Sequence, residues 1–363
     1  REIYERVTNA NARELVGLVD RGDVVLVHDP QPAGLIQPLI DAGLTVIWRC
    51  HVGLDTPNEV AKRAWRFLIP YVAPAEAYVF SREAYVWEGL DPERRVIIPP
   101  SIDAFSPKNQ VLDGSTVDSI MVTAGLFRGT KALSPPTYTR VDGTSAEVER
   151  KATLVDGGPP PGPQDRLVVQ VSRWDRLKDP VGVIRGFGDH VAPHTDAHLV
   201  VAGPAVEAVS DDPEGAEVLE ESRVAWAAMP EEVKGRVHLA GLPMDDGEEN
   251  AAIVNALQRR ADVVVQKSLA EGFGLTVAEA MWKSRPVVAS GIGGIQDQII
   301  DDDCGELISD PRDLAEYGAL VTGLLDEPER AAAMGARALE RVREHFLGAR
   351  HLMQYVDLVS RLL

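Results

Sequence analysis

Cysteine is scarce in this chain: Cys50 and Cys304 are its two examples in 363 residues. With no CxxC and no regular spacing they suggest neither a disulfide framework nor a thiolate metal site. The sequence therefore reads as a reduced, cytoplasmic protein with two unpaired thiols. Long apolar runs are also missing. No stretch approaches the roughly 18 residues that a membrane-spanning helix needs. The opening, REIYERVTNANAREL, is charged and amphipathic, unlike a signal peptide. Positive charge is in deficit, with 37 Lys and Arg against 56 Asp and Glu and a net charge of −19. Such a surface repels phosphate backbones and anionic lipid, which tells against nucleic-acid or membrane partners. An anionic ligand then requires a local cluster of cations or backbone N–H groups. There is no GxxxxGK[ST] loop, no GxGxxG fingerprint, no GxSxG and no HExxH. These gaps weaken kinase, ATPase, dehydrogenase, serine-hydrolase and zinc-protease readings. No internal repeat points to a solenoid or propeller.

What is present is an α/β rhythm. The length suits two domains of roughly 150–200 residues, and an apolar fraction of 45% with 26% charged is that of a globular protein. Residues 2–19 have helical spacing. The runs VVLVHDP (24–30), LTVIWRCH (44–51), AEAYVFS (75–81) and RVIIPPSID (95–103) read as strands, with a helix over 33–42 and another opening at Pro57. Residues 104–163 break the rhythm. Their prolines and the run GGPPPGP (157–163) read as a stiff, extended connector. The alternation restarts with strands in 165–172, 197–203, 236–242, 261–268, 285–290 and 305–308, then a helical tail from Asp313 that breaks near Phe346. Short buried runs separated by helices predict parallel sheets covered on both faces, hence two doubly wound domains. The boundaries fall at 1–155 for the first domain with its connector, 156–345 for the second and 346–363 for a last helix. The first run shows four strands, which suggests a βα unit upstream of Arg1.

Ligands in such sheets bind at the carboxyl ends of strands. Three segments there stand out. KSLAEGFGLTVAEA (267–280) places Glu271 on a loop with Gly272, Phe273 and Gly274, then Leu275, Thr276 and Glu279 on a helix start. A Gly-rich loop feeding a helix presents N–H groups to an anion. Two carboxylates beside it fit only a ligand with hydroxyl groups flanking a phosphate, such as a nucleotide sugar. A plain strand–helix turn explains the same spacing equally well. SRWDRLKDP (172–180) puts Arg173 and Lys178 at another strand end as a candidate diphosphate clamp; an Arg173–Asp175 surface pair is the blander alternative. Gly293 and Gly294 follow a third strand. In the first domain His28, Asp29, Arg49, His51 and Asp55 gather at two strand ends.

EGFGLTVAEA with its two glutamates seven residues apart, and SRWDRLKDP, resemble the retaining GT-B glycosyltransferases of family 4. VLVHDPQPAGLI, WRCHVGLDTPN, VIIPPSID and VQVSRWDRLKDP narrow the resemblance to trehalose synthases of the glycosyltransferring type and retaining trehalose phosphorylases. The likeness runs from about Asp23 to the last helix. It implies a GT-B fold, two Rossmann-like domains facing a cleft, with the C-terminal helix crossing back to the first. It implies that Arg173 and Lys178 neutralise the donor diphosphate with Gly293 and Gly294 close by. Glu279 would take the ribose hydroxyls, and Glu271 with the N–H groups from Gly272 to Leu275 would hold the transferred glucose. His51 would hydrogen-bond the donor sugar, and Asp29, Gln31 and Arg49 would shape the acceptor pocket.

The implied reaction joins NDP-glucose and glucose into α,α-1,1-linked trehalose without a cofactor. The nucleotide sugar is a co-substrate, and no protein-bound catalytic Mg²⁺ is expected. ADP-, UDP- and GDP-glucose fit equally. A homodimer is the ordinary prior for such an enzyme. Four alternatives stay open: a retaining trehalose phosphorylase, another family-4 sugar transferase, a nucleotide-sugar epimerase and a non-catalytic sugar-binding relative. The family opens with a strand and a Gly-rich acceptor loop, and no such segment precedes residue 24 here.

Overall fold

Runs of β-branched residues become strands wherever helices can cover both their faces, and the computed structural model arranges them in two units. It describes residues 1–129, 134–156, 158–205 and 213–363. The units are Arg1–Ser101 with Gly348–Leu363, and Ile102–Leu347.

Unit 1 opens with helix α1 (Glu2–Val16), followed by β1 (Val24–His28), α2 (Ile36–Asp41), β2 (Thr45–Cys50), α3 (Glu59–Val72), β3 (Ala77–Phe80) and β4 (Arg95–Ile97). All four strands are parallel, in the order β1-β2-β3-β4. The side chains of β2 alternate between faces. Val46, Trp48 and Cys50 pack with Leu39, Leu68, Tyr78 and Trp87 on one side. Ile47 packs with Ala77, Val79, Ile98 and Leu358 on the other. Pro57 does not begin α3. Asn58 caps it instead, its side-chain oxygen accepting from Ala61 N at 2.9 Å, and Pro57 lies outside the helix.

Unit 2 begins earlier than the sequence suggested. Residues 104–155 are not an extended connector attached to the first domain. They form α4 (Gly114–Thr123), β5 (Thr137–Thr139), β6 (Ser145–Glu147) and β7 (Thr153–Asp156). Asp113 caps α4 by accepting from Thr116 N at 2.9 Å, and Val117, Ile120 and Met121 are buried in the unit 2 core. Prolines bracket these short elements without excluding them. Residues 130–133 of that stretch, and Gly157 at the head of the Pro-rich run, lie outside the described residues.

The rest of unit 2 comprises β8 (Leu167–Val171), α5 (Pro180–Gly186), β9 (His198–Pro204), α6 (Pro213–Ala227), α7 (Glu231–Lys234), β10 (Val237–Leu242), α8 (Gly247–Arg260), β11 (Val263–Gln266), α9 (Leu275–Trp282), β12 (Val287–Ser290), α10 (Ile295–Gln298), β13 (Glu306–Ile308), α11 (Leu314–Asp326) and α12 (Pro328–His345). The sheet order is β13-β12-β11-β8-β9-β10-β7, with β7 antiparallel and the other pairs parallel. Val169 and Val264 face α4, α8 and α9, while Val168 and Val265 face α5 and α11. Helix α13 (Gly348–Leu362) returns to unit 1, where Arg350 Nη2 donates to Pro99 O at 2.9 Å and Pro100 O at 3.0 Å. It starts two residues later than the sequence boundary at 346.

Both cysteines are free and buried. Burial pushes the Cys50 thiol up to about 12 and raises that of Cys304, which keeps both protonated and inert at neutral pH. Among the described residues no helix is long and apolar enough to cross a membrane.

Candidate functional site

β8 pairs with β9 on one side and β11 on the other, so the strand order reverses at the centre of the second sheet. A crevice opens beyond the carboxyl ends of strands at such a reversal. Both segments singled out for donor binding emerge there, residues 172–180 after β8 and residues 267–274 after β11. Backbone bonds join them: Leu177 O accepts from Leu269 N at 2.8 Å.

The side chains complete the join. Lys178 Nζ lies 2.6 Å from Glu271 Oε2, and the Ser268 hydroxyl donates to the same oxygen at 3.4 Å. Lys267 is fully buried and paired with Asp179. Asp179 holds a left-handed conformation (φ 49°) while its Oδ1 caps α5, accepting from Gly182 N at 3.0 Å. Arg173 stands apart from this pair of pairs. Its side chain is 70% exposed and contacts Asp175 Oδ2 at 3.1 Å. The blander sequence reading therefore describes Arg173, whereas Lys178 is drawn onto Glu271.

The loop after β11 turns into α9 through Gly274, whose φ of 84° favours glycine. No side chain caps that helix. Gly294 packs against the loop so closely that a Cβ would lie 2.7 Å from Phe273 Cα, and its N donates to Gly272 O at 2.9 Å. Buried Gln298 ties the two loops together, donating to Phe273 O at 2.5 Å and to Gly274 O and Gly294 O at 3.3 Å. Gly272, Phe273 and Gly274 are thus tied to Gly294 through backbone contact and the Gln298 amide.

Glu279 is buried on α9, and Lys108 Nζ lies 3.0 Å from its Oε2. One turn on, fully buried Lys283 donates to Glu279 O and to Asn109 Oδ1, both at 3.0 Å. Burial drives the Lys283 ammonium pKa well below its ordinary value, and the Glu279 charge opposes that shift. The two carboxylates that looked hostile to a phosphate are each matched by a lysine, Glu271 by Lys178 and Glu279 by Lys108. Sequence reasoning missed Lys108 and Lys267, along with Asp179.

Unit 1 gathers its own polar cluster at the ends of β1 and β2. His28 Nδ1 and His51 Nε2 are 2.8 Å apart with rings nearly parallel. Asp29 has φ 69°, and its Oδ1 accepts from His51 N at 2.8 Å. Desolvation, followed by the Arg49 charge, lowers the His51 pKa. Arg49 is buried, donating to Ile98 O at 2.8 Å and to the Ser81 hydroxyl at 3.1 Å. Its burial lowers its own pKa. Asp29 and His51 are therefore brought together, while Arg49 is turned inward onto the strand ends. Gln31 is exposed in the turn beyond β1. Among the described residues no group of three or more His, Cys, Asp and Glu is arranged to hold a metal.

Residues 1–87 match the model of the trehalose synthase N-terminal domain, and residues 159–341 match that of glycosyl transferases group 1. A trehalose synthase of Thermococcus litoralis is 34% identical over 360 residues, covering 99% of this chain and 74% of that protein. A trehalose synthase of Rubrobacter xylanophilus is 34% identical over 366 residues, covering 100% and 75%. Among solved structures, the UDP-forming α,α-trehalose-phosphate synthase of Burkholderia xenovorans, crystallised with glucose-6-phosphate, superposes with a TM-score of 0.70 at 16% identity, covering 99% of this chain and 78% of that one. Anabaena HepE in complex with UDP gives 0.71 at 15% identity, covering 96% and 82%. At these identities the structural likeness speaks for the fold, which is GT-B.

Proposed function

The chain belongs to the trehalose synthase family of group 1 glycosyl transferases, a hexosyltransferase of trehalose metabolism, and on that footing we propose that it transfers glucose from a nucleoside-diphosphate glucose to free glucose, with retention, forming α,α-1,1-linked trehalose. The observation that carries this reading is the Lys178–Glu271 pair at the strand-order reversal, set against the glycine loops.

The chemistry divides between two demands. The departing nucleoside diphosphate gains negative charge as the glycosidic bond breaks. Lys178, the N–H groups opening α9 and the closely packed backbone of Gly293 and Gly294 stabilise that charge, and Arg173 adds its own from an exposed position. Glu271 accepts from hydroxyls of the transferred glucose, and Glu279 accepts from the ribose diol. Retention follows when the acceptor hydroxyl attacks from the face that the diphosphate leaves and a phosphate oxygen takes its proton. No enzyme nucleophile is required, so the protein's work is positioning and charge stabilisation. On unit 1, the His51–Asp29 contact at the end of β2 supplies the polar surface for sugar hydroxyls. UDP is the ligand of the HepE structure, and UDP-, ADP- and GDP-glucose are all candidate donors.

The test is a panel of these donors against glucose, glucose 6-phosphate and other acceptors, with product linkage assigned by NMR. Trehalose formed from a nucleotide glucose and glucose supports the reading. A β-linked product would refute retention, and a different preferred acceptor would refute the trehalose assignment. Release of glucose 1-phosphate from trehalose and inorganic phosphate, without nucleotide-dependent synthesis, would identify a phosphorylase.

A further inference from the structure

Lys108 occupies an unusually well-anchored place for a residue one-third exposed. The backbone on either side of it is pinned by side chains of α8 and α9. Buried Asn255 donates to Pro107 O at 3.0 Å and Gln110 O at 2.9 Å. Trp282 Nε1 donates to Asn109 O at 2.9 Å, and Arg259 Nη2 to Gln110 O at 2.8 Å. None of these bonds involves the Lys108 side chain, so the anchoring of the loop does not depend on it. What the anchoring does is fix where the side chain starts, and from there its ammonium reaches to 3.0 Å from Glu279 Oε2.

We propose that Lys108 is a positioning residue of the donor site, holding the Glu279 carboxylate in place and offsetting its charge so that it accepts from the ribose diol of a nucleoside diphosphate. The proposal rests on the ribose role given to Glu279 above. A carboxylate has about four acceptor positions, so one ammonium contact leaves capacity for a diol. Without Lys108, a buried carboxylate would stand near a diphosphate with its charge unopposed, which weakens the ligand twice over, by repulsion and by loss of aim. Because the loop is already rigid, no ordering cost falls on the ligand when it binds.

The experiment measures ADP and UDP affinity by calorimetry, with donor KM and kcat, for Lys108→Met, Lys108→Arg, Glu279→Gln and the double variant Lys108→Met/Glu279→Gln. Lys108→Met should weaken nucleotide binding about tenfold, the loss of one charge-assisted contact. The change should fall on donor KM rather than kcat, beyond whatever stability is lost by unpairing the buried Glu279 carboxylate, and Lys108→Arg should recover most of it. The double variant should bind no worse than Glu279→Gln alone, because both act through one carboxylate. Wild-type or tighter affinity in Lys108→Met, with Glu279→Gln weakened, would overturn the positioning role while leaving the ribose role intact. Unchanged affinity in Glu279→Gln would overturn the ribose role and this inference with it.

Discussion

Lys178 Nζ and Glu271 Oε2 meet at 2.6 Å across two loops that leave neighbouring strands, and both side chains are largely buried. The pair gives the crevice beyond β8 and β11 a defined shape before any ligand arrives. On the proposed reading it also keeps an ammonium where a donor diphosphate would share it.

Lys178→Ala should lower kcat/KM for the nucleotide sugar by about 10²–10³, the usual effect of removing one transition-state charge contact. Initial rates at varied donor concentration check this. An unchanged kcat/KM would remove Lys178 from the diphosphate site.

The Lys267–Asp179 pair is structural in a stronger sense, because Lys267 has no exposure to water. Asp179→Ala leaves that ammonium without a partner and should cost about 3–5 kcal/mol of stability. Lys267→Met, which removes the buried charge itself, should cost less. Chemical denaturation of both variants tests the order.

Gly294→Ala puts a Cβ 2.7 Å from Phe273 Cα and 3.1 Å from Gly272 O, both backbone atoms. The two glycine loops must then separate, at about 1–3 kcal/mol. A lowered denaturation midpoint together with weaker nucleotide binding is expected. Unaltered nucleotide affinity would show that the contact between the loops does not matter to the ligand.

His238 is fully buried beside His198, 2.9 Å away, and burial lowers its pKa from 6.5 to about 4. The unfolded chain therefore binds a proton at this position that the folded chain refuses. Stability from the neutral ring is complete above about pH 6.5 and is lost as pH falls through about 4. Melting temperature should drop more between pH 7 and pH 4.5 for the wild type than for His238→Gln. Parallel curves for the two proteins would refute this linkage.

Much of the architecture was legible because the strands are short β-branched runs, and VVLVH, TVIWRC and LVVQV each appear where their pattern placed them. The glycine loops were legible for a related reason, since Gly274 and the Gly293–Gly294 pair sit at strand ends where a side chain would be strained or would clash. In the stretch before β8 proline density suggests extension, yet the chain forms α4 and three short strands there. Asp113, a ready helix cap ahead of Gly114, was the signal for α4. Lys108, Lys267 and Asp179 could not be read from spacing. Their meaning arises from partners distant in the chain, Lys108 from a glutamate on α9 and Lys267 from an aspartate after β8.

The discontinuity of unit 1 bears on how the molecule is made. On the ribosome, β1 to β4 emerge early, yet Leu358 of α13, which packs on Ile47, Ala77, Val79 and Ile98, emerges only after all of Ile102–Leu347. Most of the second unit is therefore made before that face of the earlier sheet can be covered. During that interval the nascent chain presents apolar surface that the finished fold hides, an opening for aggregation.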